Sequence, residues 1–240
     1  MKDQRYFWNP LRIVSPKLDK EVKRIEELHE IPVSDAHQPQ ENLVLMVSKL
    51  IHMTRMLSGC LKTDNLAAID SCERLAEEIH RHEKLATSGL LDQASGIGKN
   101  VFQIVVRFPS RMERIGRMFE AMLRCSRIKA TEGIPFSEKA QEDLSTIFDV
   151  VLDMLENLRD ALVVPNKVVL EHIKSQGQKL VALVEDARLA HWKRLEAGFC
   201  SRQASPLFVE ILDAVKHVNE YIAKMNESLV DLANLEPISA

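Results

Sequence analysis

The sequence predicts an all-α protein: two tandem three-helix bundles preceded by a short N-terminal helical extension. Three observations carry that expectation. Hydrophobic residues make up 45% of the 240-residue chain and charged ones 28%, with only 8 Gly and 9 Pro, a composition suited to packed helices. Apolar positions recur at helical spacing in six long segments, and no segment reads convincingly as a strand. Similar features also return roughly 100 residues later, as two copies of one helical set would leave them.

The first forty residues hold one short amphipathic stretch, Leu18 to His29. It is followed by the polar run Pro32-Val33-Ser34-Asp35-Ala36-His37-Gln38-Pro39, which reads as a linker. The long patterns run from Glu41 to Lys62, Asn65 to Ser88, Asn100 to Lys129, Glu138 to Leu162, Pro165 to Ala197 and Pro206 to Leu235. Asp64 and Ser137 are expected to cap free N–H groups at helix starts. Ser205-Pro206 places a capping hydroxyl before a first-turn proline, and Val164-Pro165 marks a start less strongly. Gly133 and Gly198 suit a chain leaving a helix with positive φ. Pro109 lies inside the third pattern and should kink or split it, because proline lacks the N–H that a helix interior uses.

The repeat follows from matched positions. Leu61-Lys62-Thr63-Asp64-Asn65 and Leu162-Val163-Val164-Pro165-Asn166 lie 101 residues apart, and Met112-Glu113-Arg114-Ile115-Gly116 and Val215-Lys216-His217-Val218-Asn219 lie 103 apart. The expected organisation is an extension and linker over 1–40, a first bundle over 41–132 and a second over 133–240.

A net charge of −3, from 32 basic and 35 acidic residues, gives no broad positive field, so nucleic acid is not an expected partner. Cys60, Cys72, Cys125 and Cys200 are widely spaced without a Cys-x-x-Cys pair, which points to reduced thiols rather than zinc or a redox motif. The N-terminal run Met1 to Trp8 lacks a signal-peptide apolar core, and the chain is expected to be soluble and cytoplasmic.

The segment Ser110-Arg111-Met112-Glu113-Arg114-Ile115-Gly116-Arg117 resembles the signature of the PhoU family of phosphate-uptake regulators, in which an apolar residue is followed by Glu, Arg, Ile, Gly and Asp. Glu113 through Gly116 match outright. The second copy, Val215 to Glu220, keeps only its place and apolar spacing. The stretch Val184 to Gly198, followed by Cys200, is similar to the PhoU-like tail of bacterial sodium/phosphate cotransporters. The resemblance, which spans about Glu41 to Leu235, implies a non-enzymatic regulator that works by contacts with a phosphate transporter or a sensor histidine kinase. A transporter accessory and a helical scaffold unrelated to phosphate are the alternatives. It also leaves room for a homodimer or peripheral membrane association.

In that family, acids four residues apart hold metal clusters. Here Glu113 is followed by Arg117, and Lys216 by Glu220, so each site has an acid and a cation four residues apart. No metal and no cofactor is therefore expected, with Asp213 and His217 the weak candidates for one ion. A helical wheel places Phe108, Met112, Ile115, Phe119, Met122 and Leu123 on one side of the third pattern. Glu113, Arg117, Glu120 and Arg124 fall opposite, as either a solvated ion-pair ladder or a binding face.

Arg107, Arg111 and Arg114 fall in one narrow sector and form the candidate partner-binding basic face. Glu26-x-x-His29 and Glu77-x-x-His80 superficially match di-iron ligands, but Glu77 projects away from its helix's apolar stripe. Glu78 with His82 supplies two ligands, too few for a site. Gly96-Ile97-Gly98-Lys99-Asn100 lacks the spacing and preceding strand of a phosphate loop. No catalytic residue is assigned.

Overall fold

The computed structural model describes residues 39–235, all helices and turns with no strand among them. The amphipathic stretch Leu18 to His29 lies outside the described residues. Six long helices appear, α1 (Pro39–Thr63), α2 (Leu66–Asp92), α4 (Phe108–Glu132), α5 (Glu138–Val163), α6 (Lys167–Glu196) and α7 (Ala204–Leu235), with a seven-residue α3 (Lys99–Val105) between α2 and α4.

Helix ends follow local chemistry where the chain is left alone. Ser137 caps α5 by accepting a bond from the Ala140 N–H at 3.3 Å, as expected. Gly133 and Gly198 leave their helices at φ 62° and 75°. The Ile134 and Phe199 N–H groups then reach back to the Lys129 and Arg194 carbonyls at 2.9 and 2.8 Å, closing each helix in the manner a left-handed residue permits. Pro109 splits the third pattern. α3 stops at Val105 and α4 begins at Phe108, which puts the proline in a first turn, where its missing N–H leaves no bond unmade.

Three starts differ from expectation. Asn65, not Asp64, caps α2 through the Ala68 N–H at 3.1 Å. Asp64 takes the left-handed turn position instead, at φ 50°, and its carboxylate pairs with Lys129. α6 starts at Lys167 with Asn166 as cap, because Asn166 offers an amide oxygen to Val168 N–H at 2.8 Å and Val164-Pro165 offers none. α7 starts at Ala204, so Ser205 falls inside the first turn. Its hydroxyl meets His191 Nε2 at 2.9 Å rather than capping.

The helices pack in two threes. α1, α2 and α4 touch one another, as do α5, α6 and α7, and across the middle α1 meets α5 and α4 meets α7. Counterpart helices of the repeat thus face each other, and one continuous apolar cluster runs through both sets. α1 and α5 each contact three others, so they bury far more than one stripe: Leu43, Met46, Leu50, Met53 and Leu57 of α1 are all nearly inaccessible. α1 is long and apolar enough by composition to cross a membrane, yet that segment is largely buried here as a core helix.

Polar ties join the two sets. Gln40 Nε2 donates to the Leu162 carbonyl at 2.9 Å, Arg55 pairs with Glu156 at 2.6 Å, and Lys62 reaches Ser145 Oγ at 2.9 Å. Within the first set, Arg127 grips Glu73 at 2.8 and 3.2 Å and Asp70 at 2.6 Å, a two-pronged bond that fixes α4 against α2. Lys129, only 2% exposed, couples Asp64 to the ring of Phe136, 5.5 Å from its ammonium.

Close approach within each bundle uses a glycine on opposite partners. Gly116 of α4 faces Ile79 of α2, whose Cγ2 would lie 3.4 Å from an added Cβ. In the second bundle the glycine is Gly177 on α6, and the larger partner is Asn219 of α7, the residue 103 positions after Gly116.

Candidate functional site

The first family-motif position forms a small polar cluster on α4. Glu113, with 12% of its side chain exposed, accepts from Arg117 Nε one turn along and lies 3.3 Å from His80 Nδ1 of α2. These groups, with Ala76, Ile79 and Glu120, line a hollow of about 240 Å³. The bond from Glu113 raises the Arg117 guanidinium above its usual pKa, so it stays protonated beside the acid at any working pH. The cluster therefore offers an acid already matched to a cation. His80, half exposed, was singled out in the sequence only with Glu77, which points to solvent. Its contact with Glu113 joins two helices and leaves no trace in local spacing.

The second motif position is arranged differently. Lys216 and Glu220 are both exposed, and among the described residues no ion pair links them; Glu220 instead approaches His217 Nδ1 at 3.3 Å. An exposed lysine gains too little from such a pair to hold one geometry. Asp213 is taken by Arg188 Nη2 at 2.6 Å, so Asp213 and His217 do not converge. Among the described residues no three His, Cys, Asp or Glu side chains are grouped to hold a metal ion.

α7 covers part of the arginine sector. Arg111 donates one guanidinium nitrogen to the Lys224 carbonyl at 2.7 Å and to Ser228 Oγ at 2.8 Å, bridging α4 to α7. Partial burial lowers its pKa, with Arg107 adding to the effect. Arg114 lies 5.9 Å from the centre of the Tyr221 ring, also on α7. Arg107, at the start of α4, and Arg114 are both exposed, and among the described residues Arg107 makes no side-chain hydrogen bond. The helical wheel could group the three on one sector but could not show that α7 lies against Arg111 and Arg114.

Glu78 and His82 do not form a shared pair. Glu78 pairs with Lys49, not with His82, and this bond holds its carboxyl below the ordinary range. His82 is buried with an unpartnered Nδ1, and burial, then the Lys49 charge, pushes its pKa down to about 4. Glu26 and His29 lie outside the described residues. Gly98 precedes the seven-residue α3, which packs against α7.

Two features escaped the sequence reading. A groove of about 450 Å³ runs between α6 and α7, and Asn219 and Asn226 lie in its wall. Each donates its amide Nδ2 to an α6 carbonyl, Asn219 to Gly177 at 3.3 Å and Asn226 to Leu170 at 3.0 Å. Their seven-residue spacing within the apolar stripe of the last helix was the available signal. At the end of α6, Leu189, Trp192 and Phe199 are 58%, 50% and 78% exposed, and a smaller hollow of about 190 Å³ beside them is lined by His191, Cys200 and Phe208.

No family model and no curated protein matches the chain by sequence. Two solved structures resemble it in fold. PhoU from Pseudomonas aeruginosa superposes with a TM-score of 0.73 at 11% identity, over 91% of this chain and 100% of that one. The phosphate transport system regulatory protein PhoU from Streptococcus pneumoniae does so with a TM-score of 0.72 at 13% identity, over 93% and 100%. The chain has the PhoU-like all-helical fold.

Proposed function

We propose that this protein regulates phosphate transport through contacts with another protein and without catalysis. The observation that carries the reading is the fold: all of each PhoU chain is matched by nearly all of this one, so the likeness is to the whole six-helix architecture. The local chemistry agrees with a docking role. Glu113 is matched by Arg117, and Arg111 and Arg127 tie helices together.

The proposed contact surface is the end of α6. Leu189 and Trp192 lie three residues apart on one helix face, with Phe199 just beyond, and large exposed apolar groups of this kind are what a partner protein would cover. The partner class is a phosphate transporter or its sensor kinase, at the cytoplasmic face of the membrane. The same stretch, Arg188 to Cys200, carries the resemblance to a cotransporter tail and supports a transporter accessory as the second reading.

The test is a pull-down with the intact protein from phosphate-starved and phosphate-replete cells, repeated with Trp192→Ser, Phe199→Ser. A transporter or kinase recovered with the wild type and lost in the double variant supports the proposal. Recovery of only metabolic enzymes, or identical recovery with the variant, refutes the docking surface.

A further inference from the structure

We infer that the groove between α6 and α7 is the docking site for this chain's own N-terminal segment, residues 5–17. Val181 of α6 and Val230 of α7 line the groove and stand 47% and 37% exposed. Open apolar surface of this kind favours an occupant that covers it. Glu171, Glu227 and Asp231 rim the groove against a single base, Lys174, so the occupant should be both apolar and positively charged.

The N-terminal residues carry that chemistry. From Arg5 to Lys17 the chain holds Tyr6, Phe7, Trp8, Leu11, Ile13 and Val14 together with three bases, Arg5, Arg12 and Lys17, and no acid. Charge also separates the groove from the apolar surface at the end of α6. The stretch from Leu189 to Arg202 carries Lys193, Arg194 and Arg202 against one acid, Glu196, a balance that repels a basic segment. In the first bundle the counterpart of Val230, 103 residues earlier, is Arg127, whose guanidinium grips Glu73 and Asp70 and ties α4 to α2. The second bundle has an exposed valine in place of that tie.

Topology brings the segment within reach. α1 starts at Pro39, and Gln40 bonds to the Leu162 carbonyl in the last turn of α5. The chain then turns through Val164, Pro165 and Asn166 into α6, whose Leu170 lines one end of the groove. Pro39 and that end of the groove therefore lie at the same end of the bundle. Residues 18–38 can span up to about 70 Å when extended, whereas the groove runs only about 16 Å along α6 from Leu170 to Val181. Tethering of this kind gives an effective concentration on the order of mM, so a modest intrinsic affinity is enough to fill the groove.

Trp8 supplies the probe. The chain has two tryptophans, so a full-length Trp192→Phe protein reports on Trp8 alone. Docked, Trp8 should emit to the blue of a synthetic peptide of residues 1–17 and resist acrylamide quenching, independently of protein concentration. Reversing exposed rim charges with Glu171→Lys, Asp231→Lys should shift the docking equilibrium about tenfold toward the exposed signal. Adding Arg5→Glu, Arg12→Glu to that protein should restore the shielding, which separates a lost docking charge from a damaged fold. Four results would overturn the inference: Trp8 as exposed as in the peptide, shielding unchanged by the rim reversal, no restoration by the reversed segment, or shielding that appears only as concentration rises. The last would place another copy's segment in the groove.

Discussion

Neutral burial of His82 should make the protein lose stability between neutral and mildly acid pH. His82 is 2% exposed and its folded pKa is about 4, against an ordinary value of 6.5. The unfolded chain therefore binds a proton near pH 6.5 that the folded chain refuses until near pH 4. Stability from this group is complete above the unfolded value and is lost as pH falls from there toward the folded one. Between about pH 7.5 and pH 5 the linkage relation gives a loss of about 2 kcal/mol. Lys49 and Arg81 act with burial to lower the pKa, and Glu78 acts against them. Glu78 has a lowered pKa, so its own contribution fades only at more acid pH and does not confuse this window.

The assay is urea unfolding across that pH range for the wild type and for His82→Leu. The wild type should lose about 2 kcal/mol more than the variant over the window. His191, also lowered by burial and then by Arg194, contributes with the same sign but remains in both proteins and cancels in the difference. Parallel pH curves for wild type and variant would show that His82 takes up its proton in the fold as readily as in the unfolded chain and would refute the argument.

Three further outcomes follow from single contacts. Arg111→Met removes two bonds between α4 and α7 and should cost about 1–3 kcal/mol in urea unfolding; no change would mean the bridge to Lys224 and Ser228 does not persist in solution. Gly177→Ala places a Cβ 3.0 Å from Asn219 Oδ1 and should destabilise by about 1–3 kcal/mol. Adding Asn219→Ala should recover part of that loss, and a purely additive double mutant would contradict the close approach. Elemental analysis of untagged protein should find no stoichiometric iron or zinc, because Arg117 and Lys216 each set a cation where a second carboxylate would be needed; metal retained in the wild type and lost in Glu113→Ala, Glu220→Ala would reverse that reading.

Much of the fold was legible because helices announce themselves locally. The apolar stripe Phe108, Met112, Ile115, Phe119, Met122 and Leu123 is the buried face of α4 as the wheel drew it. Ser137, Gly133, Gly198 and Pro109 act within one turn of themselves, so their effects could be read from neighbours alone. The 101 to 103 residue offset likewise anticipated two equivalent triplets.

The misreadings fall where a distant helix claims the residue. Asp64 was expected to cap α2, but Lys129, 65 residues later, holds its carboxylate, and Asn65 caps instead. Ser205 was expected to cap α7, but His191 of α6 takes its hydroxyl. The sequence alone determined the helices, their buried faces and the opposite charges at the two motif positions, because each depends on spacing along one helix. Only the tertiary structure decided which polar groups remain available: α7 lies against Arg111 and Arg114, and α6 lies close enough to α7 to leave two buried amide oxygens beside a groove. Hydrogen bonds and burial are properties of pairs of surfaces, and the pairing of surfaces far apart in the chain is not written in the period of either one.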